Sequence, residues 1–136
     1  MISTILYKGD LRTEMTHLNS RSLVETDAPL DNQGKGERFS PTDLVATALG
    51  SCMLTIMGIA ARTHEFNIDG TRIDIEKDMV ADPLRRIGRV GVHFHMPAGI
   101  EYTEKQKTIL EKAALTCPVY LSLAENVVKD VTFHWV

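Results

Sequence analysis

The stretch FSPTDLVATALGSCMLTIMGIAAR, residues 39–62, decides how this chain folds. It begins with the signals of a helix start, since Ser40 can cap a helix, Pro41 suits the first helical position and Asp43 stands where a capping-box acid belongs. Apolar residues then recur three or four positions apart, at Val45, Leu49, Cys52, Ile56 and Ile59. This spacing predicts a central core helix whose buried stripe carries Cys52.

Short strand-like segments and a long loop precede this helix. Residues 2–7 and 12–18 flank the turn KGD, in which Gly9 is available for a positive φ, and this arrangement predicts a β-hairpin. Residues 22–26 form a third expected strand. The stretch DAPLDNQGKGERFSP, residues 27–41, is rich in Gly, Pro, Asn and Asp and has no periodicity, which predicts a loop. Loops of this length in small domains are usually functional or mobile.

The second half of the chain alternates between strand and helix patterns. TRIDIEKD, residues 71–78, and RVGVHFHM, residues 89–96, have the period of two that predicts strands with one buried face. YTEKQKTILEKAAL, residues 102–115, predicts a second helix, and Pro118 suits the start of a short third one. Apolar residues alternate again in residues 131–135 as a last strand. The order of these elements predicts an α+β fold.

Composition limits the class of protein and its partners. A chain of 136 residues is long enough for one domain, which we expect to span residues 1–136. The net charge of -3 gives no general attraction to nucleic acid or to an anionic membrane. The first residues lack the layout of a signal peptide, and we find no run near the roughly 20 apolar residues of a membrane helix. We therefore expect a cytoplasmic protein that binds neither nucleic acid nor membrane.

The chain has two cysteines, Cys52 and Cys117, too few for a disulfide scaffold and without a CxxC zinc pattern. Cys117 stands at the predicted start of the short helix, where backbone N–H groups and the helix dipole favour a thiolate. Cys52 lies about 18 Å along its helix from Ser40, at about 1.5 Å per residue, so a cation would have to come from elsewhere. Candidate cations in the N-terminal half are Arg12, Arg21 and Arg38. The residues alone leave both packing and redox chemistry open.

Three histidines on predicted strands were weighed as metal ligands. His93 and His95 share a strand face, and His134 lies on the last strand. No acid or cysteine accompanies them in a recognisable metal-ligand spacing, and their face is the polar one. A solvated or dimer-facing sheet surface is therefore the preferred interpretation, and we expect neither a metal nor a cofactor.

Two motifs carry a resemblance to a known family. FSPTDLVATALGSCM, residues 39–53, together with CPVYLSL, which starts 65 positions after Cys52, resembles the OsmC/Ohr family of osmotically inducible and organic hydroperoxide resistance proteins. The similarity covers essentially the whole chain, including GDLRTE at residues 9–14. It implies an N-terminal hairpin and strands, a central cysteine-bearing helix, further antiparallel strands and two C-terminal helices. It also implies an intertwined homodimer with two sites at the subunit interface.

The same resemblance implies a two-cysteine mechanism. Cys52 would attack a small organic hydroperoxide and become a sulfenic acid, Cys117 would resolve it to a disulfide, and an external dithiol would reduce that disulfide. A noncatalytic alternative stays open, in which the dimer binds a small apolar ligand or senses redox state. Replacing Cys52 by serine distinguishes the two, because turnover would stop while ligand affinity would persist.

The resemblance further implies an arginine that is held by an acid near the start of the cysteine helix. Arg12 best matches the arginine of the hydroperoxide-resistance branch. The family has a glutamate ten residues before the cysteine, where this chain has Thr42, so the neighbouring Asp43 is the expected substitute. An ordinary helix-start role is equally open for Asp43. The alternatives are Arg38 for the cation and Glu37 or Glu14 for the acid.

Overall fold

A computed structural model describes all 136 residues as six strands and three α-helices. In chain order the elements are β1 (Ser3–Gly9), β2 (Arg12–His17), β3 (Leu23–Asp27), α1 (Pro41–Thr63), β4 (Arg72–Val80), β5 (Arg86–His95), α2 (Glu104–Ala114), α3 (Pro118–Ser122) and β6 (Val128–His134). The expected α+β class is confirmed. Two compact units divide the chain, an N-terminal unit (Met1–Val45) and a C-terminal unit (Ala46–Val136). The expectation of one domain therefore stays a prediction.

Strands β1, β2 and β3 form the antiparallel sheet of the N-terminal unit. The predicted hairpin is confirmed, with Gly9 at φ 92° and two further turn residues, Asp10 and Leu11, at positive φ. Positive φ at successive turn residues matches the right-handed twist of the strands that the turn joins. The register of β2 on β3 places Arg12 directly opposite Asp27.

The loop between β3 and α1 is bound to the sheet by its backbone. The Asp27 N–H donates to the carbonyl of Phe39 at 3.1 Å, and the Gly36 N–H donates to the carbonyl of Ala28 at 3.2 Å. A Cβ on Gly34 would lie 1.7 Å from the carbonyl oxygen of Ala28, so this close approach of two backbones requires glycine. The predicted loop is thus confirmed, with a single 3₁₀ turn at Leu30–Asn32 inside it.

Helix α1 begins as its sequence signals predict. The Ser40 Oγ accepts the Asp43 N–H at 3.0 Å, and the Asp43 Oδ2 accepts the Ser40 N–H at 2.9 Å. This reciprocal pair is a capping box, which satisfies two of the backbone donors that every helix start leaves unpaired. The predicted start of the helix at Pro41 is therefore confirmed.

The face that α1 buries is different from the predicted stripe. The buried positions are Ala46, Leu49, Gly50, Met53, Met57 and Ala61. Cys52 lies at the edge of this face and is half-buried, and Ile59, predicted as buried, is 56% exposed. The stretch from Leu44 to Ala61 carries no charged residue, so its periodicity could not tell which of several apolar faces packs on the sheet.

The apolar composition of α1 contradicts the expectation that no segment approaches the length of a membrane helix. Helix α1 has 23 residues and a segment with mean hydropathy 2.0, which is long and apolar enough to cross a membrane by length and composition alone. The prediction that no run approaches this limit was therefore wrong. The core helix of a soluble protein meets the same criterion, and six positions of α1 are buried.

The C-terminal unit has the second sheet and the hydrophobic core. Strand β4 pairs with β5 antiparallel, whereas β6 runs parallel to β5, because the connection through α2 and α3 is long enough to return the chain. The alternation predicted for β5 is confirmed, since Val90, Val92 and Phe94 are fully buried. They join the buried face of α1 in one cluster.

Candidate active site

Two free thiols meet inside the C-terminal unit. Cys52 is half-buried in the middle of α1, and Cys117 is fully buried as the residue that caps α3. The Cys52 thiol lies close enough to Cys117 to raise the pKa of the Cys117 thiol. Cys117 belongs to the buried cluster that includes Leu49 and Phe94, and Cys52 packs against that cluster from its edge. Two cysteines that are 65 positions apart in sequence are therefore brought close together in apolar surroundings.

The protonation state of Cys117 follows from its burial. Loss of solvent raises the pKa of the Cys117 thiol, and the neighbouring Cys52 raises it further. The backbone N–H groups of Tyr120 and Val119 act in the opposite direction, and that of Tyr120 lies 3.2 Å from the sulfur. The N–H groups of the helix start favour the thiolate as expected, but burial is the larger effect and the net pKa is above the usual value. Burial raises the pKa of Cys117 by more than the N–H groups of one short helix turn lower it.

A buried ion pair fixes Arg12 within the N-terminal unit. The Arg12 Nε donates to the Asp27 Oδ1 at 2.7 Å, and the Arg12 Nη2 donates to the Asp27 Oδ2 at 2.8 Å. The Asp27 side chain is 1% exposed and that of Arg12 is 18% exposed. The Arg12 hydrogen bonds lower the pKa of Asp27 to about 2, and the same contacts raise the pKa of Arg12 above its ordinary value. Both groups are charged at every pH at which the protein is expected to work.

The other acids that the sequence suggested have different partners in this unit. The Asp43 carboxylate takes the helix-start role that was left open for it, and any catalytic part stays a prediction. Glu37 lies 3.7 Å from Arg12 and is mostly exposed. Glu14 pairs with Lys8 at 3.4 Å.

Arg38 is more exposed than Arg12 and is bound less tightly. Its Nε lies 3.5 Å from Glu25, and its Nη1 donates to the carbonyl of Glu37 at 3.0 Å. Arg38 lines an open cavity of about 330 Å³, together with Pro29, Leu30, Asp31, Gly36, Ser40 and Asp43. Of the two arginines, Arg12 has the fixed position and Arg38 the solvated one.

Comparisons with known proteins match the part of the chain that carries both cysteines. The family model described as OsmC-like protein matches residues 34–132, which include both cysteines. The chain belongs to the OsmC-like family. A crystal structure of a candidate osmotic stress induced and detoxification response protein from Psychrobacter arcticus 273-4 is 48% identical to this OsmC-like chain, with a TM-score of 0.92. The match covers 98% of this chain and 96% of the Psychrobacter chain. A search of curated proteins found no match.

More distant solved structures share the OsmC-like fold. An organic hydroperoxide resistance protein OsmC from Legionella pneumophila is 16% identical with a TM-score of 0.76, over 98% of this chain and 96% of that one. An organic hydroperoxide resistance protein from Elizabethkingia anophelis is also 16% identical, with a TM-score of 0.74 over 96% and 92%. At this identity the likeness supports the fold alone.

The sequence reasoning missed Asp27, the residue that holds Arg12 in this OsmC-like chain. The family resemblance indicated an acid near the start of the cysteine helix, with Glu37 and Glu14 as the alternatives. The signal that could have found Asp27 is strand register, since the pairing of Thr16 with Leu23 places Arg12 directly opposite Asp27. Opposite charges at directly facing positions are a favourable cross-strand pair.

The histidines that were weighed as ligands lie on the polar face of the second sheet. The His95 Nε2 lies 2.8 Å from an Asp74 oxygen, and the His93 Nδ1 lies 2.6 Å from the Thr132 hydroxyl. The rings of His95 and His134 stack with their centroids 4.8 Å apart. These contacts link neighbouring strands of the sheet, and the interpretation as a solvated or dimer-facing surface stays a prediction.

Proposed function

We propose that this OsmC-like protein is a thiol peroxidase that reduces organic hydroperoxides as a cytoplasmic defence against oxidative stress. The observation that carries the proposal is the proximity of Cys52 and Cys117 as free thiols in an apolar environment. A reactive thiol beside a second one is the arrangement that converts a sulfenic acid into a disulfide. Apolar surroundings favour a substrate with a hydrocarbon group over hydrogen peroxide.

The two steps balance with the groups present. The Cys52 thiolate attacks the terminal oxygen of ROOH, the O–O bond breaks, and the alkoxide leaves as ROH after taking a proton. Cys52 is then a sulfenic acid. The Cys117 sulfur attacks it, the S–O bond breaks, and the thiol proton of Cys117 leaves with the hydroxide as water. An external dithiol reduces the disulfide by exchange and becomes a disulfide itself.

The unequal exposure of the thiols supports the order of these steps. Cys52 is half-buried at the edge of the core and can meet a substrate, whereas Cys117 is completely buried. The raised pKa of Cys117 keeps it neutral at pH 7, so Cys117 does not compete for the hydroperoxide. It acts only on the sulfenic acid that forms beside it.

The proposal includes a cation for the Cys52 thiolate, as the family resemblance implies. We assign this role to Arg12, on the strength of the family resemblance and of its fixed position in the N-terminal unit. Asp43 enters the proposal as a positioning residue, since its capping box fixes the first turn of the helix that carries Cys52.

A homodimer is also part of the proposal. Large apolar side chains of β1 are exposed in the single chain, and Ile5, Leu6 and Tyr7 each expose 60% or more of their surface. In the C-terminal unit Ile59 and Leu121 are exposed as well. Contiguous exposed apolar surface marks an interaction site, and OsmC/Ohr proteins are typically dimeric. A second copy of the chain is the proposed partner.

Intact mass of the reduced protein after one equivalent of cumene or tert-butyl hydroperoxide tests the function. We expect the wild type to lose two hydrogens as the disulfide forms. Cys117→Ser should give a sulfenic acid that a dimedone probe traps, and Cys52→Ser should not react. A wild-type protein unchanged after minutes would remove the peroxidase proposal for these substrates.

One observation favours the noncatalytic alternative. An open cavity of about 590 Å³ in the C-terminal unit is lined by residues that include Thr55, Ile59, Arg62 and Phe66. This volume is in the range of small-molecule sites. If binding rather than turnover is the function, Cys52→Ser will bind an apolar fluorescent probe such as 8-anilinonaphthalene-1-sulfonate as tightly as the wild type does, and neither protein will consume hydroperoxide.

A further inference from the structure

A lysine interrupts the apolar alternation of strand β6. Val131 and Phe133 pack against the core from this strand, and Lys129 stands two positions before Val131 on the same face. The register places Lys129 beside Val90, which is fully buried. The Lys129 ammonium lies over the ring of Tyr120, 5.2 Å from its centroid. A half-buried cation on the core face of the sheet is therefore held by an aromatic ring of α3.

Tyr120 links this lysine to the buried thiol. It is the third residue of α3, and its half-buried side chain packs against the core. Its backbone N–H donates to the Cys117 Sγ at 3.2 Å, so this sulfur is the N-cap of the helix. The contacts from Lys129 through Tyr120 to Cys117 all lie in the C-terminal unit, and they end beside Cys52.

Helix α3 needs such contacts because it is a single turn of five residues. A helix this short is not stable by its own hydrogen bonds, so its orientation depends on the side chains that anchor it. A disulfide forms only when the two Cα atoms are about 4.4–6.8 Å apart and the sulfurs face each other. The orientation of α3 therefore decides how often the Cys117 sulfur can reach that of Cys52.

We propose that Lys129 and Tyr120 are positioning residues for Cys117 in the step that forms the disulfide. The inference rests on the proposed function, in which Cys117 resolves the Cys52 sulfenic acid. The cation holds the Tyr120 ring, and the Tyr120 N–H holds the sulfur. Cation–π attraction is stronger where water is partly excluded, as it is between these half-buried side chains.

A merely structural role would give a different result from a positioning role. If Lys129 only stabilised the fold, its replacement would lower the melting temperature and leave the reactions of both thiols in the folded protein unchanged. If Lys129 positions Cys117, closure of the disulfide slows while the first reaction of Cys52 keeps its rate.

Ellman's reagent measures the two thiols of the full reduced chain one after the other and needs no hydroperoxide. The thiolate of Cys52, the more exposed cysteine, attacks the reagent, releases one thionitrobenzoate and becomes a mixed disulfide. The Cys117 thiolate then attacks the Cys52 sulfur, the mixed disulfide breaks, and a second thionitrobenzoate leaves. This second release is independent of reagent concentration, and Cys117→Ser should lack it.

The variants are Lys129→Met, Lys129→Arg and Tyr120→Leu. Lys107→Met is the matched control, because the Lys107 ammonium lies 5.8 Å from the ring centroid of Trp135, a second contact of the same kind outside α3. A parallel series with cumene hydroperoxide is quenched in acid at successive times, and intact mass separates thiol, sulfenic acid and disulfide.

We expect the second release to slow about tenfold in Lys129→Met and in Tyr120→Leu, within the range of a cation–π contact shielded from water. The first release should stay within about twofold of the wild type, and so should both rates of Lys107→Met, since Lys107 shares no partner with Tyr120. Lys129→Arg should keep the second release within about threefold, because a guanidinium also binds over an aromatic face. With hydroperoxide, the sulfenic acid of Lys129→Met should persist about tenfold longer.

Three results would overturn the inference. One is a wild-type rate of second release in folded Lys129→Met. Another is an equal slowing of both releases, which would indicate general loosening of the unit. The third is a Lys129→Arg protein as slow as Lys129→Met. The Lys129 variants decide the question alone if Tyr120→Leu does not fold. If no protein consumes hydroperoxide, the proposed function fails, while the release rates still decide the roles of Lys129 and Tyr120.

Discussion

The two units of this protein bury opposite kinds of residue. Every buried hydrophobic residue lies in the C-terminal unit, between Ala46 and Cys117, whereas the buried polar residues Thr26, Asp27 and Ser40 all lie in the N-terminal unit. The N-terminal unit instead exposes its large apolar side chains, above all along β1. One unit is stabilised by its own core, and the other by hydrogen bonds and ion pairs. The N-terminal unit is therefore where the proposed homodimer would cover the most exposed apolar surface.

The largest expected effect tests the core of the C-terminal unit. Phe94 is fully buried and stacks on Phe133 with a centroid distance of 4.7 Å. Phe94→Ala should lower the free energy of unfolding by about 3–5 kcal/mol, because it loses burial and leaves a cavity. Urea unfolding followed by circular dichroism measures it. A loss below about 1 kcal/mol would show that this core is not the main source of stability.

The exposed strand of the N-terminal unit should respond through association rather than through folding of the single chain. Leu6 is 60% exposed, so Leu6→Asp removes little packing within the chain. In the proposed dimer the aspartate would be desolvated, and we expect the variant to sediment mainly as a monomer at concentrations where the wild type is a dimer. Thr108→Asp on the exposed side of α2 is the control for charge alone. Equal sedimentation of Leu6→Asp and wild type would exclude this face from the interface.

The ion pair predicts how stability depends on acid. The folded pKa of Asp27 is depressed to about 2 from a usual 3.8, so its contribution is present above about pH 4 and is lost as the pH falls toward 2. The urea midpoint of the wild type should therefore decline in this range. The urea midpoint of Asp27→Asn should be lower than that of the wild type above about pH 4, and it should decline less as the pH falls toward 2. An equal decline of the urea midpoint with falling pH in both proteins would show that Asp27 is not the cause of the acid dependence.

The smallest expected effect comes from the thiol of the C-terminal unit, at the opposite end of the pH scale. Burial raises the pKa of Cys117, so the unfolded chain releases this proton first as the pH rises through about 9. Stability that is fully present below this pH should be lost progressively above it. Cys117→Ala should flatten the alkaline decline of the melting temperature under reducing conditions. An unchanged slope would mean that the alkaline decline comes from other groups.

The parts of the fold that could be predicted depend on local signals. The start of α1 was predicted because Ser40, Pro41 and Asp43 act within one helix turn, and β5 was predicted because its alternation is unbroken. The buried face of α1 could not be predicted from its own residues. A helix that is apolar on several sides leaves that choice to whichever surface packs against it.

The candidate site was predictable in its residue types more than in its contacts. Cys52 and Cys117 were singled out by motif, and their proximity depends on the whole path of the C-terminal unit. Asp27 was missed because its partner is set by strand pairing, which joins residues 15 positions apart. The effect of the helix start on Cys117 could be predicted locally, whereas the larger and opposite effect of burial on its pKa is a tertiary property.

The connection between β5 and β6 has a consequence for the chain in its unfolded state. Cys117 lies within this connection, between α2 and α3, so a bond to Cys52 would close a ring of 65 residues. A ring of that length removes conformational entropy from the unfolded ensemble worth about 4 kcal/mol. Each turnover of the proposed reaction would then alternate the protein between an easily unfolded and a cross-linked form. Resistance to unfolding would thereby become a record of recent exposure to oxidant.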